Sequence, residues 1–170
     1  MRSRTVHEHK SHAPVSVGCV VITCSDTRTP ETDTSGSRIM HMLKDAGHAV
    51  VAYHLVNDEP ARIKAKIKSA VANKKVQAVI INGGTGISRR DSTFEAVDAM
   101  LEKRLDGFGE VFRSLTYQEI GSPAIMSRAT AGIIKGRVLF STPGSENAVR
   151  LAMEKLILPE LGHLVRELTK

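Results

Sequence analysis

The stretch "NGGTGISRRDSTFEAV", Asn82 to Val97, sets Gly83, Gly84 and Gly86 within four residues and follows them with Arg89, Arg90 and Asp91. A glycine-rich turn can aim backbone N–H groups at an anion, and phosphate is the anion such turns commonly take. A carboxylate next to phosphate is repelled unless a cation intervenes. Asp91 therefore raises the case for Mg²⁺, which bridges carboxylate and phosphate oxygens. Two bland readings stand beside this one. The turn could be purely structural, and Asp91 could belong to a helix cap in front of Ser92-x-x-Glu95, which has the capping-box pattern. Neither the P-loop pattern nor the dinucleotide pattern is present. A second carboxylate, Asp58, sits in "VNDE", and a third segment, "TCSDTR", offers Ser25 and Asp26.

The elements that must hold these segments follow from hydrophobic periodicity. "VSVGCVVITC", "HAVVAYHLV" and "VQAVIIN" read as strands, the first and third as near-continuous apolar runs of the kind buried on both faces. Between them, Thr34 or Ser35 is expected to cap a helix that turns Ile39, Met42, Leu43 and Ala46 inward and stops at Gly47. A second begins at Pro60. This β-α-β-α-β order predicts an α/β fold with a mostly parallel sheet and helices on both faces. The carboxyl ends of the three strands then share one rim, with "TCSDTR", "VNDE" and "GGTG" side by side. One or two helices follow to about Gln118. A hairpin punctuated by Gly132 and Gly136 leads into "RVLFS", and a last helix starts after "TPGS", kinked or restarted at Pro159.

Composition narrows the function. With 170 residues, one domain over residues 15–170 behind a polar arm, residues 1–14, is expected. The arm's His7, His9 and His12 read as surface histidines. The net charge of +6 favours anionic partners. An aromatic content of 4% and the absence of Trp, of a basic run and of a helix-turn-helix cue argue against nucleic acid. No apolar run is long enough to span a membrane and no signal region is visible, so a cytoplasmic protein is expected. Cys19 and Cys24, an odd number apart on one strand, should point to opposite faces and stay unpaired.

Five ordered segments carry a resemblance. "GGTGISRRDSTFEAV" resembles the G-G-T-G-x-x-x-R-D-x-T-x-E-A signature of the molybdopterin-binding family that includes MoaB- and MogA-type proteins. "TCSDTR", "VNDE", "MSRATAGI" and "STPGSENAV" agree in order, from about Val15 to Leu158. The resemblance implies a three-layer sandwich with a small β-hairpin, the MogA-like fold. It also implies a reaction, Mg-ATP-dependent adenylation of molybdopterin with release of pyrophosphate. By motif position, Asp58 and Asp91 match the family's two important carboxylates, with Asp91 toward Mg²⁺. The turn Gly83, Gly84, Thr85 and Gly86 would line the nucleotide phosphates, and Pro143, Gly144 and Ser145 the pterin side. Ser25, Asp26 and Ser127 complete the expected contacts. Phe94 and Glu146 depart from the pattern, since proline is common at both positions. A pterin carrier of the MoaB type without turnover is the alternative. The family further implies a homotrimer or hexamer. The apolar stretch "LILPELGHLV" gives a sequence-based hint of the same, as a contact surface.

Overall fold

The computed structural model describes Pro14 and residues 16–170. The expected arm, with its three histidines, lies outside the described residues apart from Pro14. Among the described residues six strands form one sheet in the order β2-β1-β3-β6-β5-β4. β1 (Gly18–Cys24), β2 (Ala49–Val56), β3 (Ala78–Asn82) and β6 (Arg137–Thr142) run parallel. β5 (Thr130–Ile134) is antiparallel to β6, and the two-residue β4 (Lys103–Arg104) is antiparallel to β5. The helices are α1 (Thr34–Asp45), α2 (Pro60–Ala72), α3 (Thr93–Asp98), α4 (Asp106–Ile120), α5 (Glu146–Ala152) and α6 (Leu158–Glu167).

The apolar runs become central strands because each side of the sheet is covered. Along β1 and the residue before it, Val17, Cys19 and Val21 enter one core, while Val20, Ile22 and Cys24 enter the other. β3 divides the same way, Ala78 and Ile80 against Val79 and Ile81. The first core is closed by Ile39 and Leu43 of α1, Phe112 of α4 and the carboxyl-terminal helices. The second is closed by Ile63 and Ile67 of α2 with Ala96 and Val97 of α3. This is the expected three-layer α/β sandwich with its hairpin. Lys135 and Gly136, both at positive φ, make the two-residue turn between β5 and β6.

Cys19 and Cys24 are free and buried on opposite faces, as the period of two requires. Burial pushes both thiols up to about 12. Because the thiolate is the nucleophile, neither should take up iodoacetamide at pH 8 in the folded protein, whereas both should in urea. Intact mass after a timed reaction reads the result. Rapid labelling of the native chain would mean these strands open far more readily than their packing implies.

The structure corrects four expectations. Asp33, not Thr34 or Ser35, caps α1, its Oδ1 accepting from the Gly36 amide at 3.0 Å. Ala46 is exposed just past the helix end. Ser92 makes no capping box: its hydroxyl turns to Asp58, and Glu95 pairs with Arg128. Finally, the carboxyl-terminal stretch is not an open contact surface. Ile157, Leu161 and Val165 are buried in the chain's own first core, and Leu156, Leu158 and Leu164 pack against it. Pro159 stands where a restart of the helix is expected: a π-turn, Met153–Ile157, widens the chain, and α6 begins again at Leu158 with the proline in its first turn.

Candidate functional site

β1, β2, β3 and β6 all end on one rim, where ligands of open α/β sheets bind. Their loops approach at backbone distance, and glycine makes this possible. A Cβ on Gly83, at φ +97°, would stand 2.2 Å from the Cys24 carbonyl oxygen. One on Gly144 would stand 3.0 Å from the Gly83 Cα.

The glycine turn is held from behind by one side chain that sequence reasoning passed over. Arg128 Nε donates to the Thr85 carbonyl at 2.9 Å, and its guanidinium also donates to the Gly86 carbonyl and pairs with Glu95. The same group lies 5.1 Å from the centre of the Phe94 ring. The Gly84 carbonyl accepts from the Thr93 amide at 3.0 Å. Three successive carbonyls are thus drawn away from the rim. The Gly84 and Thr85 amides donate to no acceptor among the described residues. Carbonyls tethered on one side and free N–H groups on the other form a nest for an oxyanion.

The two carboxylates have different positions. Asp91, half-buried, lines the pocket beyond the turn, and its Oδ2 accepts from the Ser88 amide at 2.9 Å. The Ser88 hydroxyl, the Ser88 and Gly86 amides and the Arg128 charge hold its carboxyl below the usual range, against the opposing effect of burial. Asp58 is buried, 7% exposed, and stands behind the turn. Its Oδ1 accepts from the Ser92 amide at 3.1 Å, the Ser92 hydroxyl at 2.8 Å and the Thr93 hydroxyl at 3.3 Å. Its Oδ2 packs so closely on Gly84 that a Cβ there would lie 2.0 Å away. Asp58 also donates its own amide to Asp26 Oδ1 at 3.1 Å, and Asp26 Oδ2 accepts from Arg90 at 2.6 Å. Asp26 and Asp58 therefore tie the three loops together, and Asp91 is the acid that faces the pocket.

That pocket, about 330 Å³, is lined by Ser25, Arg28, Gly83 to Gly86, Asp91, Pro143 and Gly144, with Cys24 and Thr27. Arg28 bridges its walls, donating to Asp33 at 3.0 Å and to the Gly144 carbonyl at 2.8 Å. Ser35 Oγ donates to the same carbonyl at 2.7 Å, and the Tyr53 hydroxyl donates to Asp33 at 2.6 Å. A neighbouring pocket of about 220 Å³ shares Thr85, Gly86 and Pro143 with the first. It has apolar walls from Phe112, Ile120, Pro123, Met126 and Leu151, and polar groups from Ser127, Ser145 and Asn147. The Ser127 hydroxyl is buried there without a hydrogen-bond partner among the described residues.

A family profile described as "Probable molybdopterin binding domain" matches residues 20–163. The chain belongs to this family. It is 53% identical to molybdenum cofactor biosynthesis protein B of Bacillus subtilis (strain 168), over 98% of both chains. It superimposes on a crystal structure of a molybdenum cofactor biosynthesis protein B with a TM-score of 0.90. Identity there is 52%, covering 93% of this chain and 99% of that one. It also matches the tungsten cofactor synthesizing protein MoaB from Pyrococcus furiosus, with a TM-score of 0.83 and 37% identity over 93% and 100% of the two chains. The fold is that of MoaB and MogA proteins.

The sequence-expected site residues of this molybdopterin-binding-domain chain fall into three places. Ser25, Gly83, Gly84, Thr85, Gly86, Asp91, Pro143 and Gly144 line the first pocket. Ser127 and Ser145 line the second, where Ser145 also caps α5 through the Ala148 amide. Asp26 and Asp58 stand behind. Arg28, Asp33, Ser35, Tyr53 and Arg128 were not foreseen. Arg28 and Arg128 lie inside the segments "TCSDTR" and "MSRATAGI", so the motifs contained them, but nothing in their spacing says which carbonyls they reach.

Proposed function

We propose that this chain transfers the adenylyl group of ATP to the terminal phosphate of molybdopterin. Family membership gives it a role in molybdenum or tungsten cofactor biosynthesis. The adenylation itself is the reading that the glycine-turn nest, with a lone acid opposite, supports best. In this reading a phosphate oxygen of the pterin attacks the α-phosphorus of ATP. The new P–O bond forms as the bond to the bridging oxygen breaks, and pyrophosphate leaves with that electron pair. No side chain need act as nucleophile. The protein positions two anions and offsets the charge that develops between them. Gly84 and Thr85 offer N–H groups to phosphate, and the apolar second pocket takes a flat heterocycle. Arg128 and Asp58 act only by holding the turn.

The donor set fits Mg²⁺ that arrives with phosphates. Among the described residues no three His, Cys, Asp or Glu side chains gather around one point. Mg²⁺, however, commonly takes one carboxylate, substrate oxygens and water. Asp91 would supply that carboxylate, and the ion would polarise the phosphate oxygens it touches. Incubation with molybdopterin and Mg-ATP, following AMP–pterin and pyrophosphate by chromatography, tests the proposal. Tight pterin binding without either product would overturn it in favour of a carrier. One observation favours that second reading: the relatives at 52% and 53% identity are named cofactor biosynthesis protein B, a name that states no adenylation.

Two predictions separate the supporting residues from Asp91. Asp58→Asn keeps an acceptor for Ser92 and Thr93, so activity is expected to stay within about threefold; a hundredfold loss would put Asp58 in the chemistry. Arg128→Ala frees the Thr85 and Gly86 carbonyls. It is expected to weaken ATP affinity about tenfold, the cost of losing a charge-assisted hydrogen bond, and to speed amide exchange across residues 84–88. Unchanged exchange there would deny Arg128 its holding role.

Self-association also belongs to this proposal, as a homotrimer or hexamer, but through a different surface from the carboxyl-terminal stretch. Ile125 is 82% exposed, and Val111, Tyr117, Ile120 and Met126 are also exposed on α4 and the following 3₁₀ turn, Ser122–Met126. Light scattering of the full chain, with Ile125→Asp as the disrupting variant, checks this. A wild-type mass of one chain would refute it.

A further inference from the structure

No long contiguous run of cations is present, but the net charge is concentrated in one segment where cations alternate with uncharged residues. Residues 60–77 contain Arg62, Lys64, Lys66, Lys68, Lys74 and Lys75 and no Asp or Glu, a surplus equal to the chain's whole net charge of +6. The segment comprises α2 and the turn after it. α2 lies against the edge of the sheet, where β2 pairs only with β1 among the described residues. The outer N–H and C=O groups of this eight-residue strand have no partner strand among the described residues. Between strand and helix runs a groove of about 370 Å³ lined by Leu55, Val56, Asn57, Arg62, Ala65, Lys66 and Ser69. Leu55, Val56 and Ala65 give it an apolar floor, and Arg62 and Lys66, one helical turn apart, a cationic wall. Arg62 has an exposed pairing with Glu59, whereas Lys66 has no carboxylate partner among the described residues. The charge of Lys66 reaches His54 on the strand, where, added to the stronger effect of burial, it lowers the imidazole's proton affinity.

The geometry points to this groove as a docking site for an extended, acidic polypeptide segment of a partner protein, added as a strand along the open edge of β2. Such a segment satisfies the free backbone groups and alternates its side chains. Apolar residues reach Leu55, Val56 and Ala65, and carboxylates reach Lys66 and Arg62. The observations select this occupant over others. A second copy of the chain would bring one basic α2 against another, and lysine-rich edges discourage such self-pairing. A nucleic acid has no use for a strand edge, and the groove holds no aromatic side chain on which bases could stack. The groove shares no residue with either pocket of the candidate site. Docking therefore leaves that site open, next to a partner whose backbone ends beside Asn57.

Fluorescence anisotropy of the full chain with a labelled peptide of alternating Glu and Val tests the proposal, with two comparison probes, an alternating Lys–Val peptide and oligothymidine. Binding of the Glu–Val peptide alone is expected, weakened at least about tenfold in the double variant Arg62→Glu, Lys66→Glu, since like charges oppose each other across the contact. The pair Lys74→Glu, Lys75→Glu, outside the groove, should change it far less. If a variant loses its native circular dichroism, the wild-type chain still decides. A Glu–Val peptide N-methylated at every residue presents methyl groups instead of N–H donors on both edges, cannot pair with the strand and should fail to bind. No binding of the Glu–Val probe would overturn the site. Equal binding of oligothymidine would reduce it to a general polyanion patch, and undiminished binding of the N-methylated peptide would remove the strand addition.

Discussion

Replacing Asp91 with Asn is expected to lower ATP-dependent pyrophosphate release by roughly 10²–10³-fold, the typical cost of losing one preorganised electrostatic contact at the reacting centre. The substitution isolates charge from shape. Asn can still accept from the Ser88 amide, which Asp91 holds at 2.9 Å, so the turn should remain closed. What disappears is the negative charge facing the pocket, kept ionised by the Ser88 hydroxyl, by amides and by Arg128. Pterin affinity should change little, because the apolar second pocket is untouched, and the melting temperature should stay close to that of the parent. The signature is therefore a fall in kcat at a nearly constant KM for pterin. Turnover near that of the parent would remove Asp91 from the mechanism. A loss confined to KM would make it a binding group only.

The pH dependence carries the same sign. The folded-state pKa of Asp91 is depressed, so the charge it contributes is present above the ordinary carboxylate range and is lost as pH falls through that lowered value. Activity should consequently hold through mildly acidic solution in the parent.

How much of this was legible in the sequence depended on the range of the interactions. The strands of β1 and β3 were readable because burial on both faces favours a near-continuous apolar run, and Cys19 to Ile22 is one. Their parallel order then fixed the rim, and with it the meeting of "TCSDTR", "VNDE" and "GGTG". Which carboxylate faces the pocket was not readable. Asp58 and Asp91 sit in equally polar loops, and only the fold shows that Ser92 and Thr93 surround one of them. The capping box misled for a related reason. Ser92-x-x-Glu95 satisfies the local pattern, but Asp58 and Arg128, 34 and 33 residues away from their partners, compete for both side chains and win. The carboxyl-terminal stretch shows the opposite limit. An apolar segment looks the same in sequence whether its partner is a second subunit or its own sheet. Here Ile157, Leu161 and Val165 found the sheet.

Replacing Gly83 with Ala is expected to be the most damaging single-atom-group change on the rim. Two penalties coincide there. The backbone is held at φ +97°, which L side chains rarely adopt, and the new methyl would start 2.2 Å from the Cys24 carbonyl oxygen. That oxygen cannot yield like the end of a flexible side chain, because it belongs to the last residue of β1, which is paired on both sides by β2 and β3. Relief would need β1 and β3 to part, or the peptide at Gly83 to flip, and its amide donates to the Thr142 carbonyl at 3.1 Å. Either movement also disturbs Gly144, whose Cα hydrogens face the Gly83 backbone. Strain at an unfavourable φ and overpacking each cost about 1–3 kcal/mol, so a loss of about 3 kcal/mol or more is expected. Urea unfolding of the two proteins reads it directly as a lower midpoint. A companion, Gly47→Ala, shares the positive φ but has open space at the methyl position, so it should lose only the conformational part. Equal losses at the two positions would show that backbone strain alone governs Gly83. The close approach of β1 and β3 would then be free to relax.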